Sequence, residues 1–143
     1  MNDLVKLLEL YPDKKWNCYD LSKNPNITWD FVQKNPDMKW DYDYLSTNST
    51  ITLDIVQQNP DKPWNYFWLL SNPNITWDIV QQKSDILPLD YYNLSSNPNI
   101  TCDIIKQKLD KSWNYAYLSE NPNITWDFVE QNPDKPWDYS ALS

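Results

Sequence analysis

Apolar and polar positions along this chain recur with a spacing of 24 residues. Counted from the Trp that opens each recurrence, the starts fall at Trp16, Trp40, Trp64, Leu89, Trp113 and Trp137, with one extra residue in the stretch 83–88. Self-similarity at such a period marks a repeat array, in which one small unit is copied along the chain. The register divides a single repeat domain, 1–143, into a partial unit 1–15, complete units 16–39, 40–63, 64–88, 89–112 and 113–136, and a partial unit 137–143.

Each repeat reads as two short helices. The pairs Ile27-Thr28, Ile51-Thr52, Ile75-Thr76, Ile100-Thr101 and Ile124-Thr125 are each followed by an acid at Asp30, Asp54, Asp78, Asp103 or Asp127. A β-branched residue comes two later, at Val32, Val56, Val80, Ile105 or Val129. Thr at the N-cap accepts a first-turn amide and the acid sits at the positive helix end. Ile before the cap and Val or Ile in the second turn have the spacing of a hydrophobic staple. Ile27, Trp29 and Phe31 alternate with polar residues as a strand would, but the adjacent apolar pair Phe31-Val32 favours helix. Pro36, Pro60 and Pro133 end the segment after about two turns.

The other half of the repeat, such as 64–69, predicts a second short helix or a 3₁₀ turn. Asp37, Asp61 and Asp134 are its expected caps, and Pro63 or Pro136 suits a first turn. An Asn closes it at Asn24, Asn48, Asn72, Asn97 and Asn121, and is expected to bond buried backbone of the neighbouring repeat. Helices this short do not hold alone. The pattern therefore predicts an all-α solenoid of short α and α/3₁₀ helices, anchored by two Trp ladders. One ladder is the opening Trp; the other is Trp29, Trp77 and Trp126.

Composition narrows the chemistry. The chain has no Gly, His or Arg, so its turns rest on Pro, Asn, Asp and Ser. Without His, and with only Cys18 and Cys102 among thiols, zinc sites and His-activated nucleophiles are excluded. Without Gly, the phosphate-cradling loops are excluded too. The fixed Asp residues recur once per repeat, as caps do, rather than forming one tuned acid–base pair. The expectation is a non-enzymatic protein with no cofactor and no metal. A net charge of −8 argues against nucleic acid and acidic membranes as partners. No stretch has the length and apolarity to span a bilayer. The start, 1–9, lacks a signal-peptide core. Cys18 and Cys102 lie more than three repeats apart, predicting free thiols and a reducing compartment.

The Asn-Pro-Asn-Ile-Thr turn, the short helix after it, and the Asn-Pro-Asp before a second short helix resemble the leucine-rich-repeat variant. That resemblance implies a solenoid of alternating α and 3₁₀ helices. The chain departs from it in using Trp and Ile where that family is rich in Leu and Ala. The stretches NITWDIVQQ (74–82) and NPDKPWNY (59–66) are also similar to tandem repeats in proteins of giant amoeba-infecting viruses, mostly of unknown function. This second resemblance implies a viral protein placed in the host cytoplasm or the virion.

Function is sought where the repeat varies. Three and four residues after each opening position stand Tyr19/Asp20, Asp43/Tyr44, Phe67/Trp68, Tyr92/Asn93, Ala116/Tyr117 and Ser140/Ala141. Tyr44, Phe67, Trp68, Tyr92 and Tyr117 are the candidate partner-binding residues, since aromatic rings dominate interface hot spots. The competing reading is that these rings only pad the core. The predicted function is a protein–protein interaction module. The alternatives are a self-assembling or virion component, forming an end-to-end homo-oligomer, and a carbohydrate binder using exposed aromatics.

Overall fold

The computed structural model describes residues 3–143. Contacts divide the chain into two compact units, Met1–Asn65 and Tyr66–Ser143, a boundary that falls within the repeat 64–88. The described residues are helical and contain no strand. The first unit carries α1 (Asp3–Leu10), α2 (Cys18–Lys23), α3 (Trp29–Lys34), α4 (Tyr42–Thr47) and α5 (Leu53–Gln58). The second carries α6 (Tyr66–Leu69), α7 (Trp77–Gln82), α8 (Tyr91–Leu94), α9 (Cys102–Gln107), α10 (Tyr115–Ser119) and α11 (Trp126–Glu130).

The helices α3, α5, α7, α9 and α11 start as the sequence predicts. Each is capped by its Thr, whose side chain accepts the amide of Phe31, Ile55, Ile79, Ile104 or Phe128. The Ile before the cap is fully buried at Ile27, Ile51, Ile75 and Ile100, and the staple partners Val32, Val56, Val80, Ile105 and Val129 are buried with it. Full burial of one such side chain contributes about 1.5–3 kcal/mol. These helices therefore gain more from their inner face than their short length costs.

The caps of the second set differ from the expectation. Asn17, Asp41, Asp90 and Asn114 cap α2, α4, α8 and α10, not Asp37, Asp61 and Asp134. The latter occupy Pro-Asp turns, closed by Met38 N–H to Asn35 O (3.2 Å), Lys62 N–H to Asn59 O (3.2 Å) and Lys135 N–H to Asn132 O (3.2 Å). The opening Trp then follows in a tight turn, as in Trp40 N–H to Met38 O at 2.8 Å. Only the residue after Trp is adjacent to the helix, so that residue supplies the cap. The 3₁₀ alternative survives only at helix ends. Bonds spanning three residues, such as Asn48 N–H to Leu45 O (3.0 Å), close the last turn.

The opening Trp is anchored through its indole N–H. Trp40, Trp64, Trp113 and Trp137 donate to a carbonyl five residues back, on Asn35, Asn59, Lys108 and Asn132, at 2.8–2.9 Å. Leu89 lacks that donor and is exposed, while Leu87 of the irregular stretch is buried.

Two polar ladders link successive repeats inside each compact unit. Asn48 Nδ2 donates to Ser22 O (2.9 Å) and Asn24 O (3.0 Å). Asn97 Nδ2 reaches Leu70 O (2.6 Å), Ile75 O (2.8 Å) and Asn72 O (3.2 Å). Asn121 reaches Asn97 O (3.0 Å) and Ile100 O (3.2 Å). Their side-chain oxygens accept the amide two residues on, in Thr50, Asn99 and Asn123. Both ends of the side chain are used, which Asp cannot do because an ionised carboxylate only accepts.

The second ladder is made by Ser22, Ser46, Ser95 and Ser119, all buried. Each hydroxyl donates to the carbonyl four residues back. Each accepts the amide of the residue after the next opening Trp: Asp41 (3.0 Å), Asn65 (3.0 Å), Asn114 (2.8 Å) and Asp138 (2.9 Å). Leu70 stands in this register, fully buried, and the amide of Asp90 turns instead to Pro88 O at 3.1 Å.

Candidate functional site

The second helix of each repeat buries one Leu, at Leu21, Leu45, Leu69, Leu94 or Leu118. The position two residues before that Leu consequently lies toward solvent, and the one directly before it is exposed or half-buried, because neighbours on a helix do not share a face. Those are the variable positions. Phe67, Tyr92 and Tyr117 are 51%, 53% and 40% exposed, so these three rings are surface rather than core. Tyr44 and Trp68 are half-buried.

The rings are paired along a diagonal that comparison of equivalent positions does not reveal. Tyr92 meets Tyr117 edge-to-face, with centroids 5.6 Å apart at 72°. In the first unit Tyr44 meets Tyr19 in the same way, at 4.4 Å and 74°, with their hydroxyls hydrogen-bonded. In both pairs the earlier Tyr stands three residues after its opening position and the later Tyr four after the next. Tyr19 was not among the sequence-derived candidates. Its signal is this offset.

Lys23 completes the first pair, its ammonium 3.9 Å from the centroid of Tyr19 and 4.0 Å from that of Tyr44. Lys23 first, and the Tyr44 hydroxyl second, hold the Tyr19 phenol below its ordinary value. The bond to Tyr19 and burial raise the Tyr44 phenol. Interaction with Tyr92, through charge and hydrogen bonding, raises the Tyr117 phenol. A groove of about 140 Å³ beside Tyr117 is lined by Ser96, Pro98, Glu120, Asn121 and Pro122.

No protein-family model, curated protein or solved structure matches this chain.

The second Trp ladder lies nearer the surface than the sequence predicts. Trp126 is 55% exposed and donates its indole N–H to Glu130 at 2.8 Å, and Trp29 and Trp77 are half-buried. Trp29 lines a cleft of about 430 Å³ with Trp40, Tyr42, Asn59, Asp61 and Lys62. Burial pushes the Tyr42 phenol up, and the Asp61–Lys62 pair at 2.9 Å lowers the acid and raises the amine. Leu8, Trp16, Cys18 and Asn35 line an equivalent recess in the preceding repeat. Trp77, Leu89, Tyr91 and Lys108 line another in the second unit. The recess recurs at one register, with Trp16 and Cys18, Trp40 and Tyr42, or Leu89 and Tyr91 in its wall.

Among the described residues no group of three or more His, Cys, Asp or Glu is placed to hold a metal ion. No helix among them is long and apolar enough to cross a membrane. Cys18 and Cys102 are free thiols.

Proposed function

We propose that this chain is a non-enzymatic repeat protein whose short helices stack as a solenoid and whose exposed rings engage a protein partner. The stacking is supported by the Asn and Ser ladders, which bond each repeat to the one before it within both compact units. The observation that carries the binding role is the exposure of Phe67, Tyr92 and Tyr117 on helices whose inner faces are already filled. The area these rings leave exposed is not used in packing, and interface cores are enriched in such rings.

The test is affinity capture from cell cytoplasm with the intact chain and with the double variant Phe67→Ser, Tyr92→Ser. A protein retained by the first and lost by the second, with the variant still folded and destabilised by no more than the Tyr92–Tyr117 contact, about 0.5–1.5 kcal/mol, is the expected result. Equal retention by both removes the site. A second reading rests on the recurring aromatic recess, whose spaced rings and polar groups suit a repeating polymer such as a polysaccharide. It requires that binding to soluble glycans increase with their length and weaken on Trp29→Ala, which removes a ring from one recess. A third is self-assembly, favoured by the exposed Leu7, Leu10 and Tyr11 of the first unit. It requires light-scattering mass to rise with concentration.

A further inference from the structure

The geometry points to Tyr19 and Tyr44 as an oxidative cross-linking site, at which a one-electron oxidant of the haem-peroxidase class couples the two rings into an intramolecular dityrosine between α2 and α4. This goes beyond partner binding and does not depend on it.

Three observations converge. The ring centroids are 4.4 Å apart, the closest approach of any two rings described above, and the hydroxyls touch through a hydrogen bond. The carbons flanking each hydroxyl are therefore held near one another, and these are where a tyrosyl radical carries much of its unpaired spin. Lys23 lies against both rings and is itself exposed, so it steadies a phenolate without closing off the pair. Tyr19, 44% exposed, remains within reach of an outside oxidant. Lys23 and Tyr44 both lower the Tyr19 phenol, and a phenolate gives up an electron more readily than a phenol.

The chemistry balances. Tyr19 loses an electron and its phenolic proton to give a neutral radical, and Tyr44 does the same to a second equivalent of oxidant. The two ortho carbons then form one carbon–carbon bond. Each of those carbons loses its hydrogen as a proton while the ring oxygen regains one, which restores both aromatic rings. In total, two electrons pass to the oxidant and two protons to solvent. The product joins successive repeats by a covalent bond across 25 positions of chain.

Exposure alone would select other sites. Tyr139, Tyr92 and Tyr11 are 57%, 53% and 50% exposed, all more than Tyr19. The experiment treats the intact chain, at a dilution where it stays monomeric, with peroxidase and limiting peroxide. It reads dityrosine fluorescence and maps linked peptides by mass spectrometry. The expected result is a monomer in which the peptide joining Tyr19 to Tyr44, lighter by two hydrogens, exceeds the one joining Tyr92 to Tyr117. Tyr44→Phe keeps the ring packing, with unchanged circular dichroism, and abolishes that peptide. Lys23→Met keeps the aliphatic stem and moves the pH midpoint of coupling upward, a change that loss of packing alone would not cause. Links formed only between chains, links distributed by exposure, no link at all, or an unmoved midpoint would each overturn the assignment.

Discussion

Replacing Asn97 tests the ladder most directly. Its Nδ2 reaches three buried carbonyls, Leu70 O, Ile75 O and Asn72 O, while its Oδ1 accepts Asn99 N–H at 2.8 Å. Two N–H groups serve three acceptors, so one bond is shared. In Asn97→Leu the side chain has similar bulk but neither donor nor acceptor. Asn72 O keeps Ile75 N–H (2.9 Å) and Ile75 O keeps Asn99 Nδ2 (3.2 Å). The variant therefore strands Leu70 O and Asn99 N–H, each at a cost of about 1–3 kcal/mol, and the side chain is 1% exposed, so water does not substitute. The expected loss is about 3–5 kcal/mol, a large part of the ~5–15 kcal/mol that holds a typical domain. Urea denaturation followed by Trp fluorescence reads it, with the exposed Asn26→Leu as control.

Asn97→Asp sharpens the test by pH. The new carboxyl keeps the acceptor for Asn99 N–H but faces three carbonyl oxygens, so the folded state favours its protonated form and raises its value above the unfolded one, about 3.9. A raised folded value means the penalty is absent below the unfolded value and grows as pH rises toward the folded one. Across that window the variant loses about 1.4 kcal/mol per pH unit relative to wild type. If Asn97→Leu unfolds within about 1 kcal/mol of wild type, or Asn97→Asp shows no added pH slope, the ladder does not hold the repeats together.

Two further outcomes follow from the same geometry. Leu70→Ser installs the residue found at that register in the other repeats, yet it should destabilise by about 2–4 kcal/mol. Leu70 is fully buried and the amide of Asp90 is already satisfied by Pro88 O, and a gain in thermal midpoint would contradict this. Stability should also fall as pH climbs past about 10, read by circular dichroism alongside phenolate absorbance. Burial raises Tyr42 and Tyr115, and the neighbouring acids raise Lys62 and Lys111. Raised groups stabilise fully below their unfolded values and lose that contribution as pH passes their folded ones. Tyr19, shifted down, acts in the opposite sense, and unchanged stability through this range would exclude the buried phenols.

What the sequence disclosed was what acts locally. Thr caps, Ile–Val staples and the Asn side chain declare themselves because their chemistry is complete within a few residues or repeats without variation. The Ser ladder, interrupted in sequence by Leu70, is not legible in the pattern, because the amide each hydroxyl accepts lies 19 positions away, as in Ser22 and Asp41. Nothing local marks a buried Ser as different from a turn Ser. The caps differ from the expectation because an Asp three residues before Trp40, Trp64 and Trp137 competes with the Asp or Asn directly after it, and the turn linking Trp40 N–H to Met38 O, which decides between them, is invisible in the pattern.

The variable positions show a related limit. Comparing equivalent positions made Tyr19, Asp43, Phe67, Tyr92 and Ala116 look unconstrained. The diagonal pairs show that part of that variety is constraint: Tyr19 varies with Tyr44, and Tyr92 with Tyr117, as matched rings across a repeat step. Variation within one register is therefore no measure of freedom, because the packing partner sits in the next repeat and shifted by one residue. Freedom is measured by the surface that remains after pairing. By that measure Tyr92, paired yet 53% exposed, keeps the face that the proposed docking role uses. Tyr44, half-buried against Tyr19 and Lys23, offers less area but a reactive contact. The same aromatic register thus yields two kinds of surface, one suited to docking and one to chemistry between its own rings. What separates them is a single lysine and about 1 Å of ring separation, 4.4 Å against 5.6 Å.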